Sequence, residues 1–126
     1  MTVLLDTCAL LALARGDLPP GAARALAAAP EAGVSVVSAW EVAIKVAAGK
    51  VRLAEPPMHW FLGLTERYAL RELTLDARTT CAAAALPRIH ADRFDRVIVA
   101  LAQAGALTVL TSDTNIARYP SITTRW

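Results

Sequence analysis

Four acidic residues, Asp6, Glu41, Asp95 and Asp113, stand where an apolar strand ends or a helix begins. Val3-Leu4-Leu5 runs into Asp6-Thr7, and Thr108-Val109-Leu110-Thr111-Ser112 runs into Asp113. Apolar runs of this kind are the buried strands of parallel sheets, and ligands of open α/β sheets gather at the carboxyl ends of those strands. Carboxylates converging on one edge repel one another unless a cation lies between them. Hard divalent cations such as Mg²⁺ and Mn²⁺ take oxygen ligands, commonly one or two carboxylates plus substrate phosphates, so the pattern points to phosphoryl-transfer chemistry.

Taken singly, each acid also has a plainer reading. Asp6 is placed to cap the helix that follows it. Glu41 lies three residues after Ser38, which is capping-box spacing, and Asp113, flanked by Ser112 and Thr114, is suited to starting a turn. Asp95 is different, because Asp92 is the better N-cap of its helix and Val97 to Leu101 bury the rest of it, leaving the Asp95 side chain free at the exposed start. The recurrence of an acid at the same edge of one sheet separates the functional reading from four unrelated caps.

Thr7, Ser38 and Ser112 add hydroxyls able to orient carboxylates or metal-bound water from one layer out. Arg88, Arg93 and Arg96 crowd around Asp92 and Asp95, and Arg96, with Arg93 beside it, is expected to position a phosphate backbone, against the alternative of a solvated or salt-bridged face. His59 and His90 are not placed like a general acid–base pair, so surface or structural roles are expected for both.

The elements that must position these groups alternate along the chain. Thr2 to Leu5 reads as a strand, and Thr7 to Ala14 as a helix closed by Gly16 and the Pro19-Pro20-Gly21 turn. A second helix covers Ala22 to Ala29. Val34 to Val37 reads as a β-branched strand, with Ser38 capping a helix that runs through Lys45 to Gly49. Pro56-Pro57 opens a helix whose Trp60, Phe61 and Leu64 form a core-facing stripe. Leu70 to Leu75 is the third strand, Asp76 caps an alanine-rich helix, and Pro87 precedes Asp92 and a helix over Phe94 to Ala104 that Gly105 ends. Thr108 to Leu110 is the fourth strand, and Ile122 to Thr124 a short edge strand. Strands and helices at this spacing predict a parallel sheet covered on both faces.

Composition sets the frame for this reading. A chain of 126 residues that is 56% hydrophobic is expected to form one domain with a core that needs no staples. Its longest apolar runs are too short to span a bilayer and no leader precedes the first strand, so a cytoplasmic protein is expected. Cys8 and Cys81 lack metal-ligand spacing and are expected to be two buried thiols. The net charge of +2 permits nucleic-acid binding without requiring it.

Leu4-Leu5-Asp6-Thr7, Ser38-Ala39-Trp40-Glu41-Val42-Ala43-Ile44-Lys45, His90-Ala91-Asp92-Arg93-Phe94-Asp95-Arg96 and Thr111-Ser112-Asp113 together resemble the motifs of PIN-domain ribonucleases, and among them the VapC-type toxins of toxin–antitoxin pairs. The resemblance runs the length of the chain, in order and without large insertions. It implies an α/β three-layer sandwich with a parallel sheet of order 3-2-1-4-5, and a metal site built from Asp6, Glu41, Asp95 and Asp113. It also implies Mg²⁺- or Mn²⁺-dependent hydrolysis of RNA, homodimerisation, and inhibition by a small DNA-binding antitoxin of the VapB type in a higher assembly. Two positions depart from the family pattern: Arg93 replaces a proline before Phe94-Asp95, and Asn115 stands where many relatives carry another acid.

Two other functions compete. An aspartyl phosphatase would also use an aspartate at the tip of the first strand, but such enzymes usually carry a second one two residues on, where this chain has Cys8. A binding-only module would keep the fold and make the acids a structural network.

Overall fold

The computed structural model describes residues 2–126. Five strands, β1 (Val3–Leu5), β2 (Ala32–Ser35), β3 (Leu70–Leu73), β4 (Thr108–Leu110) and β5 (Thr123–Arg125), form a wholly parallel sheet of order β3-β2-β1-β4-β5. Six helices connect them: α1 (Thr7–Arg15), α2 (Pro20–Ala28), α3 (Val36–Ala47), α4 (Pro57–Arg67), α5 (Ala77–Ala85) and α6 (Arg93–Gly105), with a 3₁₀ turn at Ile116–Arg118. The sheet order and layering are those implied by the PIN resemblance.

Side chains of a strand point alternately to its two faces, and the core divides accordingly. Val3, Leu5, Val34 and Leu110 join Leu10, Leu13, Phe61 and Leu64 on one side of the sheet, while Leu4 and Val109 join Val37, Ile98, Val99, Ile116 and Tyr119 on the other. Both faces are covered, so the central strands carry no polar face. The stripe expected on the Trp60 helix is present, with Phe61 and Leu64 buried and Trp60 packed against the same cluster.

Register brings the strand ends level. Leu5 pairs with Val34 on one side and Leu110 on the other, so Asp6, Ser35 and Thr111 emerge side by side from the carboxyl edge. At β2 the expected boundary moves. The strand stops at Ser35, whose hydroxyl accepts the Val37 N–H at 3.1 Å, and Val36 and Val37 form the first turn of α3. The cap hydrogen bond and packing of Val37 beneath the sheet override the strand propensity of two valines. Ser38 is therefore not the N-cap.

The two helices that begin after Asp6 and Asp92 close differently. Gly16 ends α1 in the left-handed conformation at φ 76°, as its position in the sequence predicts. Gly105 is still helical, and Ala106 takes the left-handed position at φ 51°. A Cβ is disfavoured in that region, so Ala106→Gly is expected to raise stability by about 0.5–1 kcal/mol. Urea unfolding of the two proteins measures the difference, and an unchanged or lower midpoint would contradict it.

Candidate metal centre

The carboxyl edge of the sheet opens into a cleft of about 500 Å³ whose walls include Asp6, Glu41, Asp95 and Asp113, all four acids singled out in the sequence. Asp6 follows β1 and is both cap and site residue. Its Oδ1 accepts the Ala9 N–H at 2.8 Å, yet the side chain also lines the cleft and is hydrogen-bonded by Thr111 across the β1/β4 register. Glu41 arrives on the face of α3 that also carries Ser38, Val42 and Lys45, residues three and four apart. With Ser35 as the cap, the capping-box explanation of Glu41 falls away. Asp95 sits in the first turn of α6, and Asp92 Oδ1 caps that helix by accepting the Asp95 N–H at 3.1 Å, as expected. Asp113 is held in a turn, its own N–H donating to Thr111 Oγ1 and its Oδ1 accepting the Asn115 N–H.

Burial and mutual repulsion set the electrostatics. Loss of hydration pushes the Asp6 carboxyl up to about 6, with Asp113 and Glu41 adding to the rise while hydrogen bonds from Thr111 and Ala9 oppose it. Asp95 is raised to about 7, first by burial and then by the charge of Asp92, with Asp6 and Glu41 contributing and His90 opposing. Glu41 is 8% exposed; its Oε2 meets Lys45 Nζ at 2.7 Å, and Oε1 is buried without a hydrogen-bond partner. Lys45 in turn is raised, chiefly by its hydrogen bond to Glu41.

One uncompensated buried carboxylate oxygen and two carboxyls resisting ionisation make an oxygen-rich site suited to a hard divalent cation. Of the four acids, Asp95 and Asp113 offer ligand oxygens within 4.8 Å of one another, and Asp6 and Glu41, which line the same cleft, would join them in holding it.

Of the supporting residues, Thr7 and Ser38 are buried and joined, the Thr7 hydroxyl donating to Ser38 Oγ at 3.0 Å, which ties the start of α1 to α3 beneath the acids. Ser112 lines the cleft beside Cys8, with Oγ and Sγ 3.3 Å apart. Both cysteines are exposed, contrary to expectation, because Cys8 lies on the cleft-facing side of α1 and Cys81 on the outer side of an alanine-rich helix that buries Ala83 alone.

The arginines also depart from expectation. Arg96 does not face the cleft: its guanidinium donates to the carbonyls of Ala84, Leu86, Pro87 and His90 at 2.9–3.2 Å, pinning the segment that leads into α6. A planar fork of five N–H donors suits that task, and none of those four bonds goes to a phosphate. Arg93 is exposed at the first position of α6. The cations that line the cleft are Arg15 and Lys45. Helical spacing was their signal in the sequence, since Cys8, Leu11 and Arg15 share one face of α1, and Lys45 lies one turn beyond Glu41.

His90, expected to be structural or superficial, lies between two of the acids, its Nε2 2.6 Å from Asp113 Oδ2 and 3.0 Å from Asp95 Oδ2. Burial would lower its pKa, but Asp113 and Asp95 raise it overall. The Asp92 N–H aimed at Nδ1 from 3.1 Å opposes that protonation. At Asn115 the side-chain oxygen is turned to Arg118 at 3.3 Å, while its backbone N–H still orients Asp113.

Residues 3–122 match the family described as PIN domain. The chain belongs to the PIN-domain family. Its fold is shared by a toxin–antitoxin complex from Klebsiella pneumoniae (TM-score 0.68, 21% identity, 97% of this chain and 96% of that one). It is shared also by VapBC2 from Rickettsia felis bound to a DNA fragment from its promoter (TM-score 0.72, 17% identity, 98% and 97%). FitAcB from Neisseria gonorrhoeae is a third such structure (TM-score 0.62, 21% identity, 98% and 96%). Comparison with curated proteins yields no significant match. Among the described residues of this PIN domain, no helix is long and apolar enough to cross a membrane.

Two predictions follow from the electrostatics and from Arg96. Asp6 and Asp95 have folded-state pKa values of about 6 and about 7 against an ordinary 3.8, so the folded protein binds more protons than the unfolded chain across that range. In the presence of EDTA, stability should therefore be greatest near pH 4 and fall toward pH 7 on account of these groups, and Asp95→Asn should flatten the fall; melting curves at each pH measure it. Arg96→Lys should lower stability by about 2 kcal/mol, because an ammonium cannot span four carbonyls, while nuclease activity per folded molecule persists. Lost activity at unchanged melting temperature would restore Arg96 to a phosphate-binding role.

Proposed function

We propose that this PIN domain is a divalent-metal-dependent endoribonuclease, the toxin of a type II toxin–antitoxin pair, that hydrolyses RNA to 5′-phosphate and 3′-hydroxyl ends. The observation that carries the reading is the convergence of Asp6, Glu41, Asp95 and Asp113 on one cleft, with Glu41 Oε1 buried and unpartnered. A Mg²⁺ or Mn²⁺ ion bound there supplies Lewis-acid polarisation of a phosphoryl oxygen and a lowered pKa for water in the cleft. The chain's own groups do the rest. Asp6 and Asp95, at the positive N-terminal ends of α1 and α6, are fixed by Ala9, Thr111 and the α6 cap, so the charge arrangement exists before substrate arrives. Arg15 and Lys45 line the same cleft as the acids and attract the phosphate backbone that the carboxylates alone would repel, and exposed Arg93 is available to a strand that overruns the site. The Thr7–Ser38 hydrogen bond ties α1, which follows Asp6, to α3, which carries Glu41, and Ser112 lines the cleft.

The partner reading rests on the family and on exposed apolar surface. The structural neighbours from Klebsiella pneumoniae and Rickettsia felis are, by description, a toxin–antitoxin complex and a VapBC2 assembly on promoter DNA. A VapB-type antitoxin and a homodimer, combined in a higher assembly, are proposed here too. Apolar anchors for such contacts are Trp40 and Ile44 on α3 and Met58 and Leu62 on α4, each pair one turn apart. The Trp60–Phe61 rings themselves face the core, and the leucines of α1 and α2 are at least partly buried.

The test is brief expression of the chain followed by mapping of RNA 5′ ends, with Asp6→Asn and Asp95→Asn as controls. Cleavage should leave 5′-phosphates, stop with EDTA, and fall in both variants by more than the roughly 10–100-fold that loss of an outer-shell partner costs. Full cleavage by folded Asp95→Asn protein, or cyclic 2′,3′-phosphate ends, would sink the mechanism. Growth arrest relieved by the product of an adjacent small reading frame would support the toxin role.

A further inference from the structure

His90, Asp95 and Asp113 present one nitrogen and two carboxylate oxygens within 4.8 Å of one another, an arrangement that reads at first as a mixed nitrogen–oxygen metal site. The hydrogen bonds of the ring argue otherwise. Nδ1 receives the backbone N–H of Asp92 at 3.1 Å, and an amide N–H can only donate, so Nδ1 presents a lone pair. A neutral imidazole carries a single N–H, which must then sit on Nε2, the atom 2.6 Å from Asp113 Oδ2 and 3.0 Å from Asp95 Oδ2. A ring nitrogen that bears a proton has no lone pair for a cation. Metal-binding histidines have the opposite polarity, donating the remote N–H to a carbonyl or carboxylate. The backbone enforces the arrangement, because the His90 N–H donates at 2.9 Å to the hydroxyl of buried Tyr119, and Arg96 holds the His90 carbonyl at 3.2 Å.

We infer that His90 is a positioning residue and not a metal ligand: its Nε2–H donates to Asp113 Oδ2 while Nε2 lies 3.0 Å from Asp95 Oδ2, a bridge that fixes the spacing of the two acids and leaves the cation an all-oxygen ligand set. This rests on the metal-site reading above. All-oxygen ligation favours Mg²⁺ and Mn²⁺, whereas an imidazole ligand would bring in metals such as Zn²⁺ and Ni²⁺. The bridge also explains why the chain keeps a histidine here with no general acid–base partner: His59 is exposed on α4.

Two measurements on the whole chain test this. Long-range ¹H–¹⁵N correlation spectra of ¹⁵N-histidine protein, assigned with His59→Gln, should show a bare Nδ1 and a protonated Nε2 at alkaline pH, both without metal and with saturating Mg²⁺. Loss of the Nε2 proton when Mg²⁺ is added, or an Nδ1–H tautomer in the metal-free protein, would overturn the inference. Calorimetric titration with Mg²⁺ should show affinity weakened roughly 10–100-fold in His90→Ala. His90→Gln, whose amide N–H₂ reaches the place of Nε2, should recover most of it, and His90→Asn, whose amide stands nearer Nδ1, should not. A glutamine variant no better than alanine, or undiminished binding by the alanine variant, removes the role of His90 alone. Wild-type protein that binds no Mg²⁺ removes the metal reading and this inference together.

Discussion

The organisation of this chain turns on holding negative charge where water cannot fully hydrate it. Asp6 and Asp95 are buried enough to shift their pKa values to about 6 and about 7, and Glu41 has an oxygen with no partner at all. Such an arrangement is costly by itself, and the surrounding structure reads as a set of partial compensations. Two helix N-termini point at it, Thr111 and the Ala9 amide donate into it, His90 spans two of its members, and Lys45 lies against a third. None of these neutralises the cluster. The remaining excess of negative charge is what a divalent cation would relieve.

Much of this was visible in the linear sequence, and the parts that were not have specific causes. The central strands were legible because both faces are covered, which makes Val3-Leu4-Leu5 and Thr108-Val109-Leu110 continuous apolar runs. Asp92 and Asp76 were legible as caps because a cap is a local property, and each accepts the amide three residues on. The start of α3 was not, since Val36 and Val37 have strand propensity and only packing beneath the sheet shows that they belong to a helix. Ala106 was also misjudged: Gly105, one residue earlier, is the obvious stop signal, yet the chain places its left-handed turn on the alanine.

The positive charges show the same divide between local and spatial neighbourhood. Arg93 and Arg96 are adjacent in sequence to two acids, but a helix turns neighbouring residues about 100° apart, and Arg96 faces away from the cleft. There it binds four carbonyls of the segment from Ala84 to His90. Its contribution to the site is indirect and substantial, because that segment carries His90, and His90 spans Asp95 and Asp113. Arg15 and Lys45 are far from most of the acids in sequence, and the fold brings them to the cleft through the faces of α1 and α3.

The dependence of the site on strand register follows from these contacts. Leu5 opposite Leu110 puts Asp6 level with Thr111, and Thr111 in turn receives the Asp113 N–H. A slip of one residue between β1 and β4 would put Leu5 and Leu110 on opposite faces of the sheet and separate Asp6 from Thr111. The core therefore does more than stabilise the fold. Val3 and Leu5 on one face and Leu4 on the other, each nearly inaccessible to solvent, make every other register lose apolar burial on both faces at once. That exclusion fixes the spacing of Asp6 and Asp113, and His90 then fixes Asp113 against Asp95, so an apolar constraint within the sheet sets the geometry of the charged edge.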